Sequence, residues 1–260
     1  MKKIITVVVF FVGVCLLNAQ DGAANATSIM NSARNRIKSD TMSSRSRMVI
    51  TAKDGSTSER VIDQYSKDGP NGARTMIVFQ SPASIKDSRF LTMDAAGGSS
   101  DRWIFLPSLG KVRRIAATES SGSFMGTDFS YDDIGLIGRK VDLDTHTMLR
   151  EETLNGKSCY VIQSVPKDNS YQYSKSISWV EKKDFLTYKS EMYNRKGELI
   201  KVMEMSEYKD VQGRLTPMQT KISTVGAGTS TTIYLDIVKY DAPIPEAVFT
   251  TAYLETGKVK

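Results

Sequence analysis

The chain has 260 residues, 40% of them hydrophobic and 25% charged, with 35 lysines and arginines, 29 acidic residues and one histidine. The formal charge of +6 is a mild excess spread without a long basic run, which argues against nucleic acid as a partner. A single histidine and two cysteines exclude a His-rich or Cys/His centre of the zinc type.

Residues 1–19 read as a secretory signal. Lys2 and Lys3 make a short basic start, residues 4–17 an apolar run, and Ala19 a small residue before a cleavage site. The run falls short of the roughly 20 apolar residues of a membrane span, and no later stretch is long enough. The expected mature protein is therefore exported and soluble, one domain over residues 20–260, with 33 basic and 29 acidic residues and a net charge of +4. The alternative is cleavage before Cys15 and acylation of that residue, which the branched Val14 disfavours. Once Cys15 leaves, Cys159 stands alone, so no intramolecular disulfide forms. In KSCYVI it reads as a buried strand residue.

In chain order, residues 23–39 predict the one long helix. Ile29, Ala33 and Ile37 repeat at i, i+4 and i+8, with Met30 beside them and Asn31, Arg34, Asn35 and Lys38 on the polar side. Thr27 or Ser28 is the candidate N-cap. The stripe suits a helix packed on a sheet or one closing over a cavity. From residue 48 the chain reads as β: 48–53, 59–66, 74–80, 88–94, 102–106 and 111–115, then 146–153, 158–165, 173–181, 186–193, 199–208, 215–223 and 231–239. Asp54-Gly55, Asn155-Gly156, Lys196-Gly197 and Gln212-Gly213 mark hairpin turns. The expectation is one antiparallel meander. Its dry face needs a cover, and a curled sheet with a helix over an apolar interior supplies it.

The stretch 101–134 carries the most information. It begins as an aromatic hairpin with Trp103 and Phe105, then enters a Gly/Ser-rich loop holding Phe124, Met125, Phe129 and Tyr131. So much apolar surface in a loop requires something to cover it. Two roles stay open: a plug in the sheet's open end, or the wall of a cavity for acyl chains. Arg113 and Arg114, with Lys111, form a solvated strand face or a contact for anionic head groups or an acidic partner. Asp128, Asp132 and Asp133 cap a helical turn near Ser130, or else hold a hard cation or act as an acid/base pair. His146, in a polar strand start, reads as structural. Gly122-Ser123-Phe124-Met125-Gly126 lacks the spacing of a nucleophile elbow. The expectation is therefore no enzyme, no metal and no cofactor.

The segments 102–115 and 122–133, the approach over 79–86, and Trp179-Val180-Glu181 with the Lys196-Gly197 hairpin together resemble the outer membrane lipoprotein-sorting protein family, the LolA-like periplasmic carriers. The resemblance covers nearly all of the mature chain. It implies a mainly β fold with α cover, a half-open antiparallel β-barrel with a helical lid. It also implies a periplasmic carrier that shields the acyl chains of a lipoprotein or lipid and moves it toward the outer membrane. An inner-membrane transporter would load it and an outer-membrane acceptor would unload it. The family supplies no catalytic residues. Our own assignment is that Trp103, Phe105, Phe124, Met125, Phe129 and Tyr131 bind lipid, while Arg113 and Arg114 meet head groups or a partner. The alternative class is an envelope lipid sensor that binds without transfer.

Overall fold

The computed structural model describes residues 15–69, 72–94, 100–134 and 139–259, with side chains from residue 25 onward. The first fourteen residues of the expected signal lie outside this set. Alternating side chains build thirteen strands: β1 (Thr41–Thr51), β2 (Thr57–Lys67), β3 (Arg74–Ser81), β4 (Arg89–Asp94), β5 (Ser100–Leu106), β6 (Lys111–Ile115), β7 (Asp144–Leu154), β8 (Lys157–Pro166), β9 (Lys175–Glu181), β10 (Thr187–Tyr193), β11 (Leu199–Val211), β12 (Arg214–Thr224) and β13 (Thr229–Tyr240). Each corresponds to a predicted strand. β1 begins seven residues earlier than expected, because its first half, TMSSRSR, turns Ser44 and Ser46 rather than apolar residues to the inside.

The topology differs from one meander. The sheet order is β6-β5-β4-β3-β2-β1-β13-β12-β11-β10-β9-β8-β7, every pair antiparallel. Two meanders, β1–β6 and β7–β13, meet where β1 pairs with β13, so the first and last strands lie at the centre. The two unpaired edges, β6 and β7, come from mid-chain, and the sheet does not close. β6 has five residues, three of them Lys111, Arg113 and Arg114, which protects that edge from pairing with other chains. The β7–β8 hairpin turns on Asn155 and Gly156 with φ of 48° and 78°, the left-handed pair that a two-residue hairpin requires.

Helix α1 (Cys15–Asn35) ends four residues before the predicted boundary, which leaves Ile37 beyond it. Ala26 and Ile29, with Met30 and Ala33, pack on Ile162 of β8 and Val180 of β9. No helix among the described residues is long and apolar enough to cross a membrane. A short helix α2 (Tyr131–Ile134) follows the Gly/Ser-rich loop.

The other side of the sheet is covered by the C-terminus. Here a 3-10 turn (Glu246–Phe249) and helix α3 (Thr251–Thr256) set Val248, Phe249 and Leu254 against Met76, Val78 and Leu91. Thr250 caps α3 by accepting from Tyr253 N, and Gly257 ends it at φ 66°, where a Cβ would lie 2.5 Å from the Arg89 guanidinium. That guanidinium donates to the carbonyl oxygens of Leu254 (3.0 Å) and Glu255 (3.2 Å), so helix end and sheet are joined. Leu254 is fully buried. Its replacement, Leu254→Ala, should cost about 2–5 kcal/mol of unfolding free energy in a urea titration. A loss below about 1 kcal/mol would show that α3 is not part of the core.

Candidate functional site

Strand alternation fixes what faces inward. Ile62, Ile77, Phe79, Phe90 and Ile104 form one apolar patch, joined by Met48 and Ile222. The loop after β6 fills it. Met125 and Gly126, at φ 53° and 76°, make a tight turn, and Phe124 N donates to Phe129 O at 2.7 Å. The turn aims both phenyl rings inward. The Phe124 ring lies 5.1 Å from Phe90 and 5.6 Å from Tyr131, both edge-on, and 5.8 Å from Phe79. Phe124 is fully buried and Phe129 nearly so; Met125 and Tyr131 pack at the margin.

Three carboxylates hold this plug. Asp128 accepts from the hydroxyls of Thr224 (2.6 Å), Thr229 and Thr231 (2.8 Å) on the β12–β13 hairpin, while its N–H donates to Thr231 Oγ1. Asp133 accepts from Ser130 N, and its own N–H donates to Ser130 Oγ, the predicted cap of a helical turn. It also accepts from Tyr173 Oη and Lys201 Nζ, each at 2.6 Å. Burial first, and the Asp133 charge second, push the Tyr173 phenol far above its ordinary value, so it stays a protonated donor. Asp132 pairs with Arg102 of β5 at 2.7 Å.

Asp132 and Asp133 are neighbours, yet their partners sit on β5 and β11. Seven strand spacings separate these strands, roughly 34 Å across a flat sheet. Two side chains from adjacent residues cannot span that distance. The sheet is therefore curled around the plug, and the plugged face is the inside.

Along the same inward positions the chemistry changes from apolar to polar. Ile62 gives way to Gln64 and Ser66, Phe90 to Thr92 and Asp94, Ile104 to Arg102 and Ser100. The polar half is open: a cavity of about 1060 Å³ lies between this floor, the polar side of α1, and described residues within 117–134 and 139–143. Burial lowers the Arg34 pKa and raises that of Asp94. None of the six residues assigned to lipid binding is among the described residues lining it.

The structure does not bring those six together. Phe124, Met125, Phe129 and Tyr131 share the inner cluster. Trp103 and Phe105 alternate with Ile104 and so face outward, beneath the C-terminal cover. Arg113 and Arg114 also point to opposite sides. Arg113 holds Glu119 through two bonds of 2.8 and 3.0 Å, and Arg114 pairs with Asp101, both exposed. His146 is structural: with both ring nitrogens engaged, by Ser164 Oγ (2.8 Å) and Val141 O (2.9 Å), it holds the segment before β7 onto β8. Cys159 is buried on the outer face of β8, and burial raises its thiol pKa.

A family model described only as that of an uncharacterized protein matches residues 71–256, more than half of the chain. Three solved structures share its fold over most of their length. A protein of the DUF1329 family from Desulfovibrio piger is 26% identical, with TM-score 0.85, covering 90% of this chain and 99% of its own. A domain from Vibrio parahaemolyticus, named as outer membrane lipoprotein-sorting, is 24% identical with TM-score 0.84 and the same coverage. A LolA superfamily protein from Nitrosomonas europaea is 23% identical with TM-score 0.72, covering 88% and 98%. The chain belongs to the family of that model, and its fold is LolA-like. No curated protein matches the sequence. As in an open LolA-like barrel, the sheet stays unclosed and helices cover it; here the inner apolar patch is occupied by the chain's own loop.

The buried Asp133–Lys201 pair gives the plug a measurable signature. Asp133 is completely buried and Lys201 nearly so. Asp133→Ala should therefore lower unfolding free energy by about 3–5 kcal/mol, since it leaves a buried ammonium unpaired. A change under about 1 kcal/mol would mean the plug is not anchored there.

Proposed function

We propose that this LolA-like protein is a periplasmic carrier that takes up the acyl chains of a lipid or lipoprotein by displacing its own plug. In this reading residues 1–19 direct export and residues 20–260 form the working domain. The observation that carries it is the inner apolar patch covered by a short loop segment rather than by the sheet itself. A core that folds only to be stable has no need of a separate segment pinned by three acids.

The two sides of the exchange are comparable in magnitude. Burying a chain of about sixteen carbons is worth roughly 13 kcal/mol, at about 0.8 kcal/mol per methylene. The burial of two phenyl rings is worth roughly 3–6 kcal/mol. Breaking a buried ion pair costs about 3–5 kcal/mol more. With Asp132–Arg102 and the Asp128 hydrogen bonds added, plug and acyl chain are of the same order, so the two can exchange, and an unloaded protein keeps the plug in place and hides its apolar patch from water. On this reading Phe124, Met125, Phe129 and Tyr131 act as the gate. Trp103 and Phe105 serve the outer cover, and Arg113 and Arg114 remain available to anionic surfaces or to a membrane partner that loads or receives cargo.

A reversible lock tests it. Asp128 and Thr231 touch, so Asp128→Cys with Thr231→Cys places two thiols where the anchor was, and Cys159 is buried out of reach. The doubly substituted protein is incubated with phospholipid vesicles and repurified, and its bound lipid is measured by mass spectrometry. The reduced form should carry lipid near one per protein and the oxidised form almost none. Equal loading in both states, or none in the reduced form, would contradict the proposal.

A further inference from the structure

We infer that the cargo is an acidic amphiphile, whose oxyanion takes over the places that Asp132 and Asp133 leave when the plug is displaced. The inference rests on the carrier reading and adds the class of head group that the carrier selects.

The plug is bonded to itself, so its acids leave with it. Tyr131 N donates to Gly122 O at 3.2 Å, Asp132 N to Ser120 O at 3.0 Å and Ile134 N to Ser130 O at 3.3 Å, while Ser123 Oγ donates to Thr127 O. The partners of the acids belong to the rest of the protein. Displacement therefore parts each aspartate from groups that stay where the sheet holds them.

Those groups are cations and neutral donors. Around the place of Asp133 stand Lys201 Nζ and Tyr173 Oη, each at 2.6 Å, and Gln172 Nε2 at 3.3 Å. Lys201 is on β11, and Gln172 and Tyr173 lie just before β9, where Ser174 N bonds Tyr193 O at 2.8 Å. Around the place of Asp132 stands Arg102 of β5, whose side chain is only 12% exposed. Half-buried Arg60 of β2 donates to the Met125 carbonyl of the plug and has no ion pair among the described residues. Asp94 partly offsets Arg102, although it accepts from Ser100 Oγ and burial shifts it toward its protonated form. With Asp94 counted, loss of the plug still leaves Lys201 and Arg60 without an acid among the described residues.

Removing one member of a buried ion pair is strongly destabilising, because the remaining charge stays desolvated without compensation. A neutral acyl chain would displace the plug and leave Lys201 in that state. An amphiphile with an oxyanion beside its chain restores the pair, and lysine and arginine form their strongest hydrogen bonds to such oxygens. Plug and chain are of the same order in burial, so this pairing decides which amphiphile enters. Asp132 and Asp133 are consecutive, so Arg102 and Lys201 bear on one small region, which borders the open cavity that Arg102 and Asp132 help to line. In the unloaded protein the plug's acids stand for the head group as its phenyl rings stand for the chain.

The experiment compares three probes of one chain length below their micellar concentrations: dodecyl phosphate, dodecanoate and dodecanol. Affinities are measured by calorimetry at neutral pH on the full mature protein and on two paired variants, Asp133→Asn with Lys201→Gln and Asp132→Asn with Arg102→Gln. Each pair removes one charge of each sign, so net charge is unchanged and a change in preference reports the site. At least one acid should bind about tenfold more tightly than dodecanol, and either pair should shrink that ratio at least about threefold. The tighter acid identifies the head group as phosphate or carboxylate. Equal affinity for dodecanol and both acids, or an unchanged ratio in the variants that fold, would overturn the acidic head group and leave the carrier reading standing. If neither pair folds, the ratio in the unaltered protein decides. Inorganic phosphate carries no chain and should not bind; binding as tight as that of dodecyl phosphate would make this a soluble-anion site and overturn the inference. If none of the three amphiphiles binds, the carrier reading fails with it.

Discussion

Two adjacent carboxylates determine the shape of this molecule. Asp132 reaches Arg102 on β5 while Asp133 reaches Lys201 on β11, and the two bonds form together only when the eight strands from β5 to β11 bend into a trough. The bending creates an inside, and the inside must be filled. Phe124 and Phe129 fill the apolar half, delivered by a turn whose left-handed residues, Met125 and Gly126, aim both rings the same way. Without the acids the loop would have no fixed place; without the rings the acids would be buried for no gain in packing.

The inner face is thus divided along the strands rather than across them. Each of β2, β4 and β5 carries apolar residues at one end and polar residues at the other, all at inward positions. The division gives a single trough two chemical characters, one filled by the chain's own loop and one left open. An amphiphile has the same division. That correspondence fits the proposed carrier function, and it accounts for the polar side chains around the open space in a protein whose resemblance implied an apolar cavity.

Much of the fold was legible in the sequence. All thirteen strands follow from local alternation and turn residues, because period-2 patterning and left-handed hairpin turns are decided within a few residues. The pairing of β1 with β13 was not legible, since it joins strands almost 200 residues apart and leaves no local trace. The polar start of β1 was lost for a related reason: Ser44 and Ser46 face inward toward polar neighbours, so the usual apolar signal is missing. Within the site, the plug residues were named from composition, and the Ser130–Asp133 cap from spacing. Trp103 and Phe105 were grouped with Phe124 by nearness in sequence, although extending the alternation through Ile104 separates them. The cavity lining comes from many segments, each unremarkable in its own context. Its one sequence signal, inward positions turning polar in β2, β4 and β5 together, becomes visible only once the register is known.

The central claim is that the loop holding Phe124 and Phe129 gives way to acyl chains. Hydrogen–deuterium exchange resolved to single amides tests it most directly, comparing lipid-free protein with protein loaded from vesicles. The amides of Phe124, Thr127 and Tyr131, bonded to Phe129 O, Phe124 O and Gly122 O, should lose most of their protection on loading, while amides of β2, β3 and β12 keep theirs. Undiminished protection of the loop in protein shown to carry lipid would contradict the account, because the chains would then lie elsewhere.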